Sequence, residues 1–207
     1  MPAGASVDLQ AGTFDLAGSR WEGAGPVRIR GSSQLAGSFT ADNFGHGAGD
    51  LTGTFEITGG FEWTGGRIVN AAARLGPGQH RVGAGTDKEL ISSSLANAGQ
   101  LTVDGVAVGL RITGYAQSVF ITNEASGSLI LTNGAFIEQR NGGGWPPVGL
   151  AIVNRGELRS AGGTTNGITA SEGSWTWSRA CCGWNPRSSS GPARRSVCGW
   201  VARRAWS

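Results

Sequence analysis

Hydrophobic and polar residues alternate in short runs through the N-terminal half of the chain, and glycine residues separate the runs. Four such runs occupy residues 12–18, 25–31, 53–59 and 60–65, with the letters GTFDLAG, GPVRIRG, GTFEITG and GFEWTG. With a period of two, every second side chain lies on the same side of an extended backbone. Each run therefore predicts a short strand with one buried face. The flanking glycines predict corners with positive φ that end each strand after a few residues.

A second repeat begins at residue 70 and consists of an asparagine followed by a glycine and then a leucine. The recurring asparagines are Asn70, Asn97, Asn123 and Asn154, at spacings of 27, 26 and 31 residues. Asn97 and Asn154 start close copies, Asn123 starts a copy with two extra residues, and Asn70 starts a degenerate copy without the glycine. We expect these side chains to stack at one corner, where amide hydrogen bonds form a ladder that tolerates left-handed backbone.

A repeat of this length that contains only strands and turns predicts a solenoid. The predicted fold is all-β: a right-handed parallel β-helix over residues 1–171, with about six coils of about 26 residues and a length on the order of 30 Å. Stacked coils would join the short apolar runs into one continuous core. An irregular β-sandwich is the alternative; strand spacings of about 8–12 residues suit it, but it does not account for the repeated asparagine.

The composition agrees with an all-β fold. Glycine occupies 37 of the 207 positions, and charged residues make up 15% of the chain, against about 25% in a typical soluble protein. A chain rich in glycine, serine and threonine forms helices poorly. No apolar stretch approaches the roughly 18 residues that a membrane helix requires, so no membrane span is predicted, and residues 1–4 do not begin a recognisable signal peptide.

The last part of the chain differs in composition from the rest. Five of the eight tryptophans and all three cysteines fall from Trp175 onward, together with six arginines. Residues 172–207 show no strand or helix period, and we interpret them as a disordered, non-native tail that a frameshift in a GC-rich gene would produce. A basic tail that binds nucleic acid is the alternative that we do not favour. The cysteines, Cys181, Cys182 and Cys198, lack metal-site spacing.

Candidate metal-binding and catalytic residues are sparse. His46 lies in a glycine-rich stretch near Asp42 and Asp50, and we expect it to be a solvated loop histidine, with a metal site as the alternative. His80 follows a turn and enters a strand. Neither histidine predicts a Ser-His-Asp arrangement, and the tandem GGxGxD nonapeptide of calcium-binding β-rolls is absent. The sequence therefore predicts no metal and no cofactor.

The catalytic alternative is a β-helix enzyme that acts on polysaccharides, which would need carboxylates that converge on one face of adjacent coils. The candidates at a spacing of about one coil are Glu62, Glu89 and Glu138, with Arg111 and Arg140 nearby. Each acid is isolated in the sequence and occupies an exposed strand position, where a charge mainly confers solubility. An enzyme would concentrate its acids in one groove, whereas a scaffold would spread them along the rod.

Tryptophans are candidates for stacking on sugar rings. Trp63 alternates with Phe61 and is expected in the core, and Trp21 is the second candidate. Trp145 is the best ligand-contact candidate, because it lies in NGGGWPP, a loop inserted into one repeat.

Four runs carry a resemblance to known proteins: FEITGGFEWTGGRIVNAAARLGPGQHRV, LANAGQLTVDG, FITNEASGSLILTNGAFI and IVNRGELRSAGGTTNGITA. They resemble the β-helix repeats of large bacterial surface proteins, the autotransporter passengers and filamentous haemagglutinins, well over residues 50–171 and loosely over residues 1–50. The resemblance implies an extracellular or cell-envelope location and a structural or adhesive role without catalysis. It implies host or matrix glycans or proteins, and further repeats of the same polypeptide, as partners. The alternatives are a fragment of a polysaccharide lyase or hydrolase, and a pseudogene product without function.

Overall fold

The fold is seen in a computed structural model, which describes residues 1–83, 85, 88–104, 110–114, 119–141, 150–161, 164–165, 168–171 and 174–177. Within these ranges the chain forms strands and turns and no helix. The strands are β1 Val7–Leu9, β2 Gly12–Asp15, β3 Arg20–Trp21, β4 Val27–Ile29, β5 Ser33–His46, β6 Asp50–Trp63, β7 Gly66–Val82, β8 Lys88–Ile91, β9 Ser94–Asn97, β10 Gln100–Asp104, β11 Leu110–Gly114, β12 Val119–Asn123, β13 Ser128–Thr132, β14 Phe136–Asn141, β15 Leu150–Asn154, β16 Glu157–Ala161, β17 Thr164–Thr165, β18 Ile168–Ser171 and β19 Ser174–Trp177.

The strands wind around three faces, and every pairing between them is parallel. The first face contains β1, β4, the C-terminal parts of β5, β6 and β7, then β10, β13, β16 and β19. The second face contains β2, the N-terminal parts of the same three long strands, then β8, β11, β14 and β17. The third face contains β3, their middle parts, then β9, β12, β15 and β18. This is a parallel β-solenoid, as predicted; a sandwich of antiparallel strands is excluded.

The length of a coil changes along the solenoid. Side chains that bond across one coil boundary lie 17 residues apart at Asp50 and Arg67, and 18 residues apart at Ser38 and Glu56. Near the C-terminal end, the equivalent separations between asparagines are 26 and 31 residues. The repeat of about 26 residues thus describes only the later coils, because the earlier coils connect their strands through tighter corners.

Inward-facing side chains from the three faces form one continuous core. On the first face, one inward column runs from Val27 through Phe44 and Phe61, and all three are at least 96% buried. Phe61 and Trp63 are buried, as their alternation predicts. Near the N-terminal end the ring of Trp21 lies 5.6 Å from that of Phe39, between centroids, and the core there is aromatic. Because every coil buries its apolar residues only against its neighbours, stacking supplies most of the stability of each coil.

The predicted asparagine ladder is present at Asn97, Asn123 and Asn154. These three residues are register partners on the third face and are at most 1% exposed. The side-chain amide of Asn97 donates to the Asn123 side-chain oxygen at 2.8 Å, and that of Asn123 donates to the Asn154 oxygen at 2.7 Å. The Asn123 amide also donates to the backbone oxygens of Gly127 and Glu157, which holds the corner of the coil.

Asn70 does not belong to this ladder, so the prediction is wrong for this residue. The register partner of Asn97 on the preceding coil is Leu75, and Asn70 is exposed at a different corner. Asn70 has a φ of 49°, and Ser92 on the next coil has a φ of 48°. The residues that precede them, Val69 and Ile91, are register partners. Asn70 and Ser92 thus form the same left-handed corner on adjacent coils. The ladder asparagines themselves have no positive φ among the residues that the structure describes there. The sequence spacing groups Asn70 with them because spacing alone cannot separate two corners of one coil.

The described solenoid extends past the boundary that the sequence predicts at residue 171. Strand β19 pairs in register with β16, Leu158 with Trp175 and Ser160 with Trp177. The predicted boundary therefore lies before the end of the described strands, because the change in composition begins inside the last of them. Residues 178–207, with the three cysteines, lie outside the described residues, and the disordered, non-native tail stays a prediction.

Candidate functional site

Both histidines lie in the core, and the expectation that His46 is a solvated loop residue is wrong. His46 ends β5 at 0% exposure, and its Nε2 lies 3.2 Å from the backbone oxygen of Arg67. A carbonyl oxygen only accepts, so Nε2 carries the proton and Nδ1 has the lone pair. That Nδ1 is buried without a partner. Burial lowers the pKa of His46 from 6.5 to about 4, and the hydrogen bond to Arg67 opposes this only in part.

His80 and Lys88 are also buried, with 2% and 0% of their surfaces exposed. The Nε2 of His80 donates to the Gly76 oxygen at 2.8 Å, and its buried Nδ1 has no partner. Burial lowers the pKa values of both His80 and Lys88. These groups face the interior of the solenoid, so a ligand in solvent does not reach them. Within the described residues, no group of three His, Cys, Asp or Glu side chains is placed to hold a metal ion.

The acidic side chains are distributed over all three faces, and most bind an arginine. Arg67 binds Asp50 through two hydrogen bonds of 2.6 and 2.9 Å on the second face. On the third face Arg74 bridges Glu56 and Glu124, and the Arg74 guanidinium lowers the pKa of Glu124. The further pairs are Arg30–Asp8, Arg20–Glu22, Arg81–Glu62, Arg81–Asp104 and Arg159–Glu157.

The predicted catalytic acids do not form one site. Glu89 and Glu138 lie in one row on the second face, with Arg111 between them, and the row continues through Arg67 to Asp50. The sign of the charge alternates at every strand of this row. Glu62 lies on the first face, beside Arg81. Arg140 is also on the second face, two positions further along β14 than Glu138. The register thus places each of these acids next to a basic residue on an adjacent strand.

Of the tryptophans considered for ligand stacking, two are placed by the structure against core residues. Trp63 is 1% exposed, and its indole N–H donates to the Gly65 oxygen at 3.0 Å. Trp21 is half-buried and stacks on Phe44, with 5° between the ring planes. Trp145 lies outside the described residues, so its role as a ligand contact stays a prediction.

An open groove crosses the outer side of the first face near its N-terminal end. It has a volume of about 450 Å³. Two hydrogen bonds hold the N-terminal segment at its rim: the Gly23 N–H donates to Asp42 at 2.7 Å, and the Asn43 amide donates to the Gly23 oxygen at 3.0 Å. The residues that line it are Ala24, Pro26, Arg28, Asp42, Asn43, Phe44, Gly45, Gly60, Phe61, Glu62, Gln79 and Arg81.

The outward row of the first face runs through this groove as Arg28, Gly45, Glu62 and Arg81 on successive strands. Gly45 leaves a gap in the row between Arg28 and Glu62. Arg81 binds Glu62 at 3.5 Å and Asp104 at 2.7 Å. Asp8, the row neighbour of Arg28, binds Arg30 at 3.6 Å. The sequence did not identify this site, because its residues are 17 to 19 positions apart and meet only through the coil register.

Comparison with known protein families, curated proteins and solved structures finds no match to this chain. The part of the chain that the structure describes contains no helix that is long and apolar enough to cross a membrane.

Proposed function

We propose that this chain is a structural or adhesive segment of a large β-solenoid protein exported to the bacterial cell surface. It acts through the surface that its stacked coils present along the rod, without turnover and without a cofactor. Its partners are further repeats of the same polypeptide and glycans or proteins outside the cell.

The observation that carries the proposal is the distribution of charge. Acids occupy all three faces and bind arginines on neighbouring strands, as in the pairs Asp50–Arg67 and Glu56–Arg74–Glu124. A general acid or base needs a carboxylate whose proton can move at the working pH, and an arginine contact keeps a carboxylate ionised. Charges paired in this way stabilise the outside of a rod and keep it soluble. This supports a scaffold over a hydrolase or lyase.

The resemblance to autotransporter-passenger and haemagglutinin repeats supports the location. A parallel solenoid also suits exposure outside the cell, because each coil contacts only its neighbours and the rod can be extended by adding coils. The continuous backbone pairing along three faces gives such a rod lateral stiffness.

Labelling of intact cells tests the location directly. An antibody raised against the purified chain is applied to the source bacterium before and after permeabilisation. The proposal predicts labelling of intact cells and loss of the signal when the cells are treated with an external protease. Labelling that appears only after permeabilisation would overturn it.

A further inference from the structure

Gly45 keeps the floor of the first-face groove open, although the backbone does not require a glycine there. Its φ is not in the left-handed region. A Cβ on Gly45 would meet Arg28 Cγ at 3.7 Å and the Glu62 oxygen at 3.8 Å, which are ordinary contacts. Glycine within a strand costs stability, and it often marks a β-bulge or a place where a ligand or another backbone approaches closely. The register of β5 against β6 shifts between Ala41 and Phe44, before Gly45, and the space above Gly45 itself stays open to a ligand.

Arg28 stands at the edge of this opening with no ion pair. Within the described part of the chain, its guanidinium makes no hydrogen bond, and the other groove arginine, Arg81, has two acidic partners. Gln79, at the opposite side, is exposed and its side-chain amide is also without a partner there. Asp42 and Asn43 use only part of their hydrogen-bonding capacity on the N-terminal segment. The groove thus offers one unneutralised cation among amide and carboxylate groups.

We infer that the groove over Gly45 binds an acidic sugar chain, with Arg28 holding its carboxylate or sulfate and Gln79, Asp42 and Asn43 holding its hydroxyls. A guanidinium binds a planar carboxylate through two parallel hydrogen bonds. An amide both donates hydrogen bonds to hydroxyl groups and accepts from them, and a carboxylate accepts from them. Three strand spacings separate Arg28 from Arg81, so the groove extends for about 14 Å along the rod.

Two other classes of anionic ligand fit this surface less well. An extended peptide gains affinity from main-chain hydrogen bonds at a free sheet edge, whereas the backbone of this face is already paired between strands. A nucleic acid needs several cations along its phosphates. Here the carboxylates of Asp42 and Glu62 would repel the phosphates. A sugar chain with separated acidic groups meets neither obstacle.

The inference rests on the proposed surface role, and binding to the purified full chain tests it. The probes are a hyaluronan tetrasaccharide, in which acidic and neutral sugars alternate, its fully methyl-esterified form and tetraglutamate, measured by titration calorimetry. We expect the acidic tetrasaccharide to bind the wild type at least about tenfold more tightly than the other two, since a charged hydrogen-bonded pair contributes about 1.5–3 kcal/mol.

Three variants locate the contact. Arg28→Gln is expected to lower the affinity for the acidic tetrasaccharide about tenfold while leaving the weak binding of the ester unchanged. Gly45→Val is expected to abolish binding, because a branched side chain fills the floor. Arg159→Gln is the matched control: it removes the same charge from the same outward row, far from the groove, and is expected to bind as the wild type does.

Any of three results would overturn the inference. The acid and its ester could bind equally well, Arg28→Gln and Arg159→Gln could lose the same affinity, or the chain could prefer tetraglutamate. Arg28 is exposed and unpaired, so its variant keeps the test valid even if Gly45→Val does not fold. Because binding is measured on purified protein, its failure removes this ligand site alone. Failure of intact-cell labelling removes the proposed location instead.

Discussion

At the scale of single residues, one column of the third face changes its chemistry along the rod. Phe39, Ile57 and Leu75 fill it with apolar packing, and from Asn97 onward asparagine amides take over. Leu75 offers no donor, so the Asn97 side-chain oxygen is buried without a partner at the point where the ladder begins. Each amide in the ladder therefore donates to the asparagine on the next coil toward the C-terminus, and Asn97 receives no such hydrogen bond from the coil before it.

Asn123→Ala is expected to destabilise the chain by about 2–4 kcal/mol. The substitution removes both amide contacts of the ladder and one donor each from the backbone oxygens of Gly127 and Glu157, although the Gly127 oxygen keeps the Glu157 backbone N–H at 2.9 Å. Urea denaturation followed by circular dichroism measures the change. Thr122→Ala, at the neighbouring half-buried position, is the control, with an expected loss within about 1 kcal/mol. Equal losses would show that the ladder contributes nothing specific.

His46 should make the stability of the chain depend on pH. Its folded pKa of about 4 lies below its ordinary value of 6.5, so the unfolded chain binds more protons between these values. Stability is therefore complete above about pH 6.5 and falls as the pH drops toward 4, by up to the order of 3 kcal/mol for this residue. His80 adds a change in the same direction.

His46→Gln checks this dependence, because the glutamine amide can still donate to the Arg67 oxygen but does not titrate. Urea denaturation at pH 7.5, 6, 5 and 4.5 should give a steeper loss of stability for the wild type than for the variant. The acidic residues titrate alike in both proteins and cancel in the comparison. Parallel curves would mean that His46 is solvated in the folded chain.

The residue scale is also where sequence reasoning succeeded and failed most clearly. Asn97, Asn123 and Asn154 could be found because each precedes a Gly-x-Leu turn of similar length. The spacing predicts the wrong corner for Asn70, since one coil has several corners and spacing alone does not tell them apart. The glycine-rich sequence around His46 predicts a solvent-exposed loop, whereas the glycines form tight corners between buried strands.

At the scale of elements, the three longest strands turn corners and stay paired on both sides of each corner, although the register shifts at several of them. Strands β5, β6 and β7 each contribute to all three faces. Within β6 the corners fall at Gly53 and Gly59, with φ values of 100° and 101°. The sequence predicts these glycines as strand ends; they are bends inside one paired segment, because a parallel neighbour follows the same bend on each side.

Gly53→Ala is expected to destabilise the chain by several kcal/mol or prevent folding. A Cβ there would lie 2.1 Å from the Leu35 backbone oxygen, at a φ that L residues rarely adopt, and backbone of the adjacent coil cannot move aside without breaking the pairing. Gly45→Ala is the matched control, since its Cβ meets nothing closer than 3.7 Å. In thermal denaturation, the Tm of Gly45→Ala should equal or exceed that of the wild type. Similar losses in the two variants would contradict the corner assignment.

At the scale of the whole molecule, the fold follows from repetition more than from any single motif. The alternation of apolar residues and a repeat made only of strands and turns were enough to predict a β-solenoid. The coil length, the composition of the faces and the first-face groove were not predictable, because they depend on the register between strands. Arg28 and Gly45 are register partners on adjacent strands, and their separation in the sequence does not reveal this.

A pair of distances along the rod tests directly whether the chain forms one continuous solenoid. Spin labels are placed on the outward row of the first face, at positions 28 and 102 in one protein and 28 and 159 in another, with the three cysteines replaced by serine. Four and six strand spacings separate these positions, so pulsed electron resonance should give distances of about 19 and 29 Å. A second distance equal to or shorter than the first would contradict a single continuous solenoid.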